Sequence, residues 1–273
     1  MSDDRRDNIR NVFDGAAESY DAVGVDFFQP IAAGLVAELA PVDGEHALDL
    51  GCGRGAVLFR LAKAVGSTGH AVGLDLSPNM AAATAADAAK AGMAVEVIVG
   101  DAQDPTVDGG PFDVVASSLV LFFLADPAAA VKSWRNQLKP DGRIGIATFG
   151  DLSEAWQRVD AVFAPFLPAE MADPRTQKAT SPFGSDGGVE GLLIDAGFND
   201  VRTVNITVRP RFDDAEHWHR WTWSQGQRAM WAMVPEAERP AVLALAFERL
   251  EDTRDADGRI GFDQVARFTL GRR

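Results

Sequence analysis

A glycine-rich segment between an apolar run and a helical pattern constrains the fold of this chain more than any other feature. Gly51, Gly53 and Gly55 directly follow the apolar run 47–50. Glycine permits a tight turn at such a place and lets the backbone approach a ligand closely. Gly51, Gly53 and Ala56 also satisfy the dinucleotide pattern G-x-G-x-x-A. Taken alone, the segment predicts a nucleotide-like ligand without deciding which one.

The residues around this segment alternate short apolar runs with helical patterns. The apolar runs predict strands at 47–50, 71–76, 95–99, 114–119 and 144–148, with later strands at 201–208 and 265–270. Helices are expected between the early strands, at 54–65, 78–92 and 127–139. Such alternation is typical of an α/β fold with a parallel sheet and helices on both faces. Ligands of these sheets bind at the carboxyl ends of the strands.

Three acidic residues stand at the predicted carboxyl ends of successive strands. Asp49 precedes the glycines and could accept hydrogen bonds from a ligand amine or from loop amides. Asp75 follows about twenty residues later, where an acidic side chain binds ribose hydroxyls in nucleotide-binding folds. Asp101 follows the next strand, where a carboxylate can accept an adenine amino proton. Singly, Asp49 could cap a helix and Asp75 could be a turn residue, but the joint spacing favours binding.

Ordered motifs extend the pattern beyond the glycines, and together they resemble the class I methyltransferases that use S-adenosyl-L-methionine, in particular the quinone and natural-product type. The motifs are 12–21, 48–55, 73–77, 99–102, 112–113 and 138–142. The resemblance covers residues 8–150 well and the remainder only through its strand order. It implies a doubly wound, mostly parallel Rossmann-like sheet with a helical lid. It also implies S-adenosyl-L-methionine as cofactor and a small molecule as methyl acceptor.

The resemblance implies a role for each matching position. Asp49, Gly51 and Gly53 would hold the methionine part of the cofactor, and Asp75 its ribose. The other cofactor-binding positions implied are Tyr20 over the methionine end, Leu76 and Met80 beside the adenine, and Asp101 and Ala102 at the adenine edge. At the end of the fourth strand, Ser117 is a further candidate for cofactor binding, and Ser117, Ser118 and Leu119 are expected to border the transferred methyl group.

The regions flanking the core are predicted to cover the site. Residues 1–44 would form N-terminal helices and part of a lid, and 45–150 the cofactor-binding core. Residues 151–273 would complete the sheet and carry a helical insertion at about 210–262, with the segment 156–171 adding to the lid. The insertion holds four of the six tryptophans.

Candidates for acceptor binding and proton transfer come from the fourth strand and the insertion. Phe122 and Phe123 could line the acceptor side of the site. Trp218 and Trp221 could do the same, although core packing is the usual role of buried tryptophans. His217 and His219 are the candidate bases, because the other two histidines precede strands and should lie at the opposite end of the sheet. Both could instead be solvated residues of a covering helix. A base is needed only if the acceptor must lose a proton, and oxygen, nitrogen and carbon acceptors all stay open.

Composition restricts the remaining classes. The net charge of -14 disfavours a nucleic-acid partner, which needs a cationic surface. The single cysteine excludes an internal disulfide and a multi-cysteine metal site, and no metal is predicted. No apolar run reaches bilayer length and the first residues are polar, so we expect no membrane insertion and a cytoplasmic location. The sequence leaves the oligomeric state open.

Two other functions fit part of the pattern. An NAD-dependent oxidoreductase would explain the glycines and Asp75 but gives no role to Asp101. A protein of the methyltransferase fold that binds the cofactor and does non-methylating chemistry, such as cyclisation, would have the same cofactor pocket.

Overall fold

The computed structural model describes residues 2–151, 153–168 and 181–273. Its strands are β1 His46–Leu50, β2 His70–Asp75, β3 Glu96–Val99, β4 Phe112–Ser118, β5 Leu138–Phe149, β6 Asn199–Val208, β7 Arg211–Phe212, β8 Ile260–Gly261 and β9 Gln264–Arg272. Its helices are α1 Ser2–Ala16, α2 Phe28–Leu39, α3 Leu58–Val65, α4 Pro78–Lys90, α5 Pro127–Asn136, α6 Glu154–Asp160, α7 Asp186–Asp195, α8 Ala215–Trp223, α9 Arg228–Met233 and α10 Arg239–Glu251.

Seven strands form one sheet in the order β3-β2-β1-β4-β5-β9-β6. The strands from β3 to β5 are parallel, whereas β9 runs antiparallel between β5 and β6. Strand order reverses between β1 and β4, and in such sheets the crevice at this switch point is where ligands bind. The predicted α/β fold with a doubly wound, mostly parallel sheet is confirmed.

The sheet is buried on both faces, which explains why its central strands are continuous apolar runs. On one face lie α2 and α3, and on the other lie α5 and α7. Three predicted helices are shorter in the structure, because α3 begins at Leu58, α4 ends at Lys90 and α5 ends at Asn136. The N-terminal region forms two helices, α1 and α2, as predicted.

The insertion is closed at its base by a separate two-stranded sheet of β7 and β8. Helices α8, α9 and α10 lie between these two strands along the chain. Their buried side chains belong to the same hydrophobic core as those of α2. The predicted lid segment 156–171 begins with α6, and its residues 169–171 lie outside the described part of the chain. The division into a core and a lid stays a prediction. No helix among the described residues is long and apolar enough to span a bilayer.

Candidate active site

A cavity of about 250 Å³ lies at the carboxyl edge of the sheet, at the switch point between β1 and β4. It is lined by the glycine-rich segment, by the ends of β2 and β4, and by one side of α1. Eight of the ten predicted cofactor-binding positions line it: Tyr20, Gly51, Gly53, Asp75, Leu76, Met80, Asp101 and Ala102. The fold therefore brings together residues that lie up to 82 positions apart in the chain.

The glycines at the cavity floor are required by both backbone conformation and space. Gly51 has φ of +76° and Gly53 has φ of +49°, a backbone region that residues other than glycine rarely adopt. A Cβ atom on Gly51 would lie 2.3 Å from the Cγ2 atom of Val120, which also lines the cavity. A side chain at Gly51 would therefore displace Val120 and alter the cavity wall.

Asp75 is held in place by the glycine-rich segment itself. Its Oδ2 accepts a hydrogen bond from the Gly53 amide at 2.7 Å, and its Oδ1 accepts one from the Ser77 amide at 2.9 Å. Burial raises the pKa of this carboxyl group, and the two amide hydrogen bonds oppose that rise. Each carboxylate oxygen can accept a further hydrogen bond, so Asp75 is placed to bind a pair of ligand hydroxyls.

Asp49 lies behind the glycine-rich segment with only 1% of its surface exposed. Neither carboxylate oxygen meets a donor with hydrogen-bond geometry, although the Leu58 amide lies near enough to oppose the pKa shift. Burial raises the pKa of Asp49 to about 8. An unpaired buried carboxyl group is costly, and a nearby positive charge would stabilise its ionised form. Asp49 is not among the residues that line the cavity, and a cationic group of a bound ligand would act on it through charge alone.

The comparisons with known proteins agree with this geometry. The family described as "Methyltransferase domain" matches residues 47–142. Over 272 residues the chain is 38% identical to nocamycin O-methyltransferase of Saccharothrix syringae, covering 96% of this chain and 97% of that protein. The chain belongs to the methyltransferase family. This membership decides against the NAD-dependent oxidoreductase interpretation.

The chain is similar to a further curated protein in sequence and to a solved structure in fold. The methyltransferase is 33% identical over 166 residues to aklanonic acid methyltransferase DauC of Streptomyces sp. (strain C5), covering 60% of this chain and 76% of that protein. Its fold is similar to the crystal structure of the YcgJ protein of Bacillus subtilis, with a TM-score of 0.59 and 16% identity. That alignment covers 89% of this chain and 97% of YcgJ, and it concerns the fold alone.

Ser117 of the methyltransferase does not reach the cavity, contrary to its predicted place near the transferred methyl group. Its side chain is fully buried, and its hydroxyl donates to the Leu50 carbonyl at 3.0 Å. Successive strand residues face opposite sides of a sheet, so the end of β4 cannot present all its side chains to one site. The next two residues, Ser118 and Leu119, were expected at the same place, and they line the cavity together with Val120.

Three of the four predicted acceptor-binding aromatics lie outside the cavity lining. Trp218 and Trp221 are 1% and 2% exposed and belong to the hydrophobic core. Phe122 stacks on Phe149 with ring centroids 5.3 Å apart, whereas its neighbour Phe123 lines the cavity, as expected from the sequence. The packing interpretation of the two tryptophans is therefore the one that the structure supports.

Neither candidate base faces the cavity. The Nε2 atom of His217 lies 2.8 Å from the Val23 carbonyl, and its Nδ1 atom accepts the Asp213 amide at 3.2 Å. The Nε2 atom of His219 accepts the indole N–H of Trp223 at 2.9 Å, and burial lowers the pKa of this imidazole. Both rings are engaged in hydrogen bonds that fasten the insertion, which gives them a structural role.

Sequence reasoning expected the N-terminal helices to cover the site, but it did not predict which residues of α1 line the cavity. Arg6, Ile9 and Phe13 line the cavity, as does Arg5. Positions 6, 9 and 13 are three and four residues apart, so they share one face of a helix. That spacing was visible in the sequence, but only the docked position of α1 shows that this face covers the site. Within the described residues, no group of three or more histidine, cysteine or acidic side chains is arranged to hold a metal ion.

Proposed function

We propose that this enzyme transfers the methyl group of S-adenosyl-L-methionine to an oxygen atom of a small organic acceptor in natural-product or quinone-like metabolism. The observation that carries the proposal is the joint lining of one cavity by the glycine-rich segment, Asp75 and Asp101. The choice of oxygen follows the similarity to nocamycin O-methyltransferase.

The residues present fit S-adenosyl-L-methionine part by part. Asp75 would accept the ribose hydroxyls, and Asp101 would accept from the adenine amino group. Asp49, buried and without a hydrogen-bond donor, would favour the cationic methionine end. Leu76 and Met80 would flank the adenine, and Tyr20 would cover the methionine end. When bound, the cofactor supplies a methyl group on a positively charged sulfur.

The acceptor side of the cavity is apolar. Phe13 and Phe123 line it with ring centroids 5.5 Å apart, next to Leu119 and Val120. These side chains exclude water and orient an acceptor beside the donor. Positioning of two reactants can contribute about 7–11 kcal/mol to catalysis in favourable cases. We therefore assign most of the rate enhancement to binding and orientation.

The acceptor oxygen is proposed to be acidic enough to ionise in water, as a carboxylic acid, an acidic phenol or an enol does. His217 and His219 are engaged in the insertion, which removes the two predicted bases from the site. An acceptor that is already ionised needs no protein base.

Calorimetric titration of the purified protein with S-adenosyl-L-methionine, S-adenosylhomocysteine and NAD tests the cofactor. Binding of the two adenosyl compounds alone is the expected result, and binding of NAD alone would contradict the proposal. Mass spectrometry of mixtures with candidate phenols and carboxylic acids then tests turnover. A gain of 14 mass units would be accompanied by S-adenosylhomocysteine. A rearranged product of unchanged mass, without donor consumption, would favour the cyclisation alternative.

The other expectations stay predictions of the sequence. They concern a cytoplasmic location and the lack of a nucleic-acid partner, and the oligomeric state is open. The acidic charge of -14 supports a small-molecule substrate over a polyanionic one.

A further inference from the structure

The last turn of α1 and the residue that follows it, Ala17, contact three separate parts of the chain. Asp14 contacts the turn that follows β2, the Ala17 carbonyl accepts from Arg54 of the glycine-rich segment at 2.5 Å, and Gly15 lies against Arg228 of the insertion. A Cβ atom on Gly15 would lie 3.2 Å from the Arg228 guanidinium. This turn therefore joins the cofactor-binding loops to the insertion.

Asp14 makes three hydrogen bonds to the start of α4. Its Oδ1 accepts the Ser77 hydroxyl at 2.5 Å and the Asn79 amide at 3.3 Å. Its backbone carbonyl accepts the Asn79 side-chain amide, also at 3.3 Å. All three donors belong to the first turn of α4 or to its N-cap, where unpaired N–H groups favour a carboxylate.

Ser77 links this contact to the proposed ribose-binding residue. Its amide donates to Asp75, its hydroxyl oxygen accepts the Met80 amide at 3.0 Å, and its hydroxyl hydrogen goes to Asp14. Ser77 is fully buried, and its partner Asp14 is half-buried. Removal of the Asp14 carboxylate would leave that hydroxyl unpaired and free the turn that carries Asp75.

The position of Asp14 has an electrostatic cost. Its charge contributes to raising the pKa of the Asp75 carboxyl group, which means that the two carboxylates repel each other. Packing alone would not require a carboxylate here, since a neutral acceptor of the same shape would avoid this repulsion. The hydrogen bonds to the start of α4 offset the cost.

We propose that Asp14 is a positioning residue for the cofactor, holding the last turn of α1 against the Asp75–Ser77 turn so that the ribose site and the cavity cover form together. The proposal rests on the proposed function, because S-adenosyl-L-methionine is the ligand whose site is positioned. Asp14 itself does not line the cavity, and it acts through Ser77 and through Phe13, its neighbour in α1.

The test compares three variants of the full chain in calorimetric titration with S-adenosyl-L-methionine. We expect Asp14→Ala to bind about tenfold more weakly, the loss that follows when a buried hydroxyl is left unpaired. Asp14→Asn keeps an oxygen acceptor at the same place, so its affinity should lie within about threefold of the wild type. Asp7→Ala removes an equal charge from the same helix, where Asp7 pairs with Arg10 at 3.2 Å, and should bind like the wild type.

Each other outcome overturns the positioning role. Equal affinity of Asp14→Ala and wild type would mean that the contact does not support the site. An Asp14→Asn variant as weak as Asp14→Ala would assign the effect to charge. If Asp14→Ala does not fold, Asn79→Ala removes the exposed partner instead and should weaken binding about twofold to threefold. Unchanged affinity of that variant would likewise contradict the proposal.

Hydrogen exchange of the ligand-free protein separates this proposal from the proposed function. Asp14→Ala should exchange faster than Asp7→Ala at residues 75–80, whether or not the cofactor hypothesis is right. Faster exchange in Asp14→Ala would support the Asp14 contact. If the wild type at the same time does not bind S-adenosyl-L-methionine, the proposed function is refuted and the contact still stands. Unchanged exchange would refute the contact.

Discussion

The cavity at the carboxyl edge of the sheet and the insertion between β7 and β8 are both rich in side chains capable of chemistry, but their polar groups are arranged in opposite ways. In the cavity region, Asp49 is buried with no hydrogen-bond donor, and Asp75 faces the open space. In the insertion, His217 and His219 are both hydrogen-bonded, and the indole N–H of Trp231 donates to Thr222 at 2.9 Å.

The difference in hydrogen-bond partners separates residues that can bind a ligand from residues that stabilise the fold. Burial of an unpaired polar group costs free energy, so such a group persists where a ligand can pair with it. A buried group whose partners all come from its own chain has its hydrogen bonds satisfied already. Side-chain chemistry alone therefore made the histidines and tryptophans of the insertion look functional, and their partners assign them to packing.

Among the variants considered, substitution of Asp75 should have the largest effect on cofactor binding. We expect Asp75→Ala to weaken S-adenosyl-L-methionine binding by at least about 100-fold, because it removes the ribose contact and leaves the Gly53 amide unpaired. Calorimetry with Asp108→Ala, an exposed acidic residue before β4, provides the matched control. A loss of less than fivefold would show that the cavity residues are no more specialised than those of the insertion.

The glycines offer a second contrast. Gly51→Ala should lower the free energy of unfolding by about 2–3 kcal/mol, since it combines a strained backbone with displacement of Val120. Gly191→Ala, in α7, meets nothing within 4 Å and should raise it by about 0.5–1 kcal/mol. Urea denaturation measures both, and similar effects at the two positions would contradict the special status of the cavity floor.

The pH dependence of stability tests the raised pKa of Asp49. Its folded pKa of about 8 lies above the ordinary value of 3.8, so the folded state holds a proton that the unfolded state releases between those values. The contribution of Asp49 to stability is fully present below about pH 4 and is lost as pH rises through 8. The slope is on the order of 1.4 kcal/mol for each pH unit in that window. Asp49→Asn should remove this slope, and parallel stability curves for the two proteins would show that Asp49 is not the group responsible.

The histidines should give the smallest effect on binding. His217→Ala is expected to cost about 1–3 kcal/mol of stability, because the Val23 carbonyl and the Asp213 amide lose their partner. Cofactor affinity should change less than twofold, and the pH profile of methyl transfer should keep its shape. A folded His217→Ala variant that binds the cofactor but has lost transfer activity would restore this residue as a base.

The sequence predicted the sheet better than it predicted the cover of the site. The strands from β1 to β5 follow from apolar runs separated by helical patterns, and the later strands at 201–208 and 265–270 were also found. Their antiparallel arrangement, with β9 inserted between β5 and β6, was not predicted. Strand pairing between distant segments depends on how the chain returns to the sheet, which local periodicity does not encode.

By itself, the sequence determined the chemistry at the strand ends, because a glycine turn and the acidic residues after it are fixed by short-range spacing along neighbouring parallel strands. Only the tertiary structure decided which distant side chains meet them. It placed Ile9 and Phe13 of α1 in the cavity wall, and it turned Ser117 and Trp218 into the core. The reason is that the direction of a side chain relative to a remote site depends on helix docking and on strand register, and both are set by packing across the whole molecule.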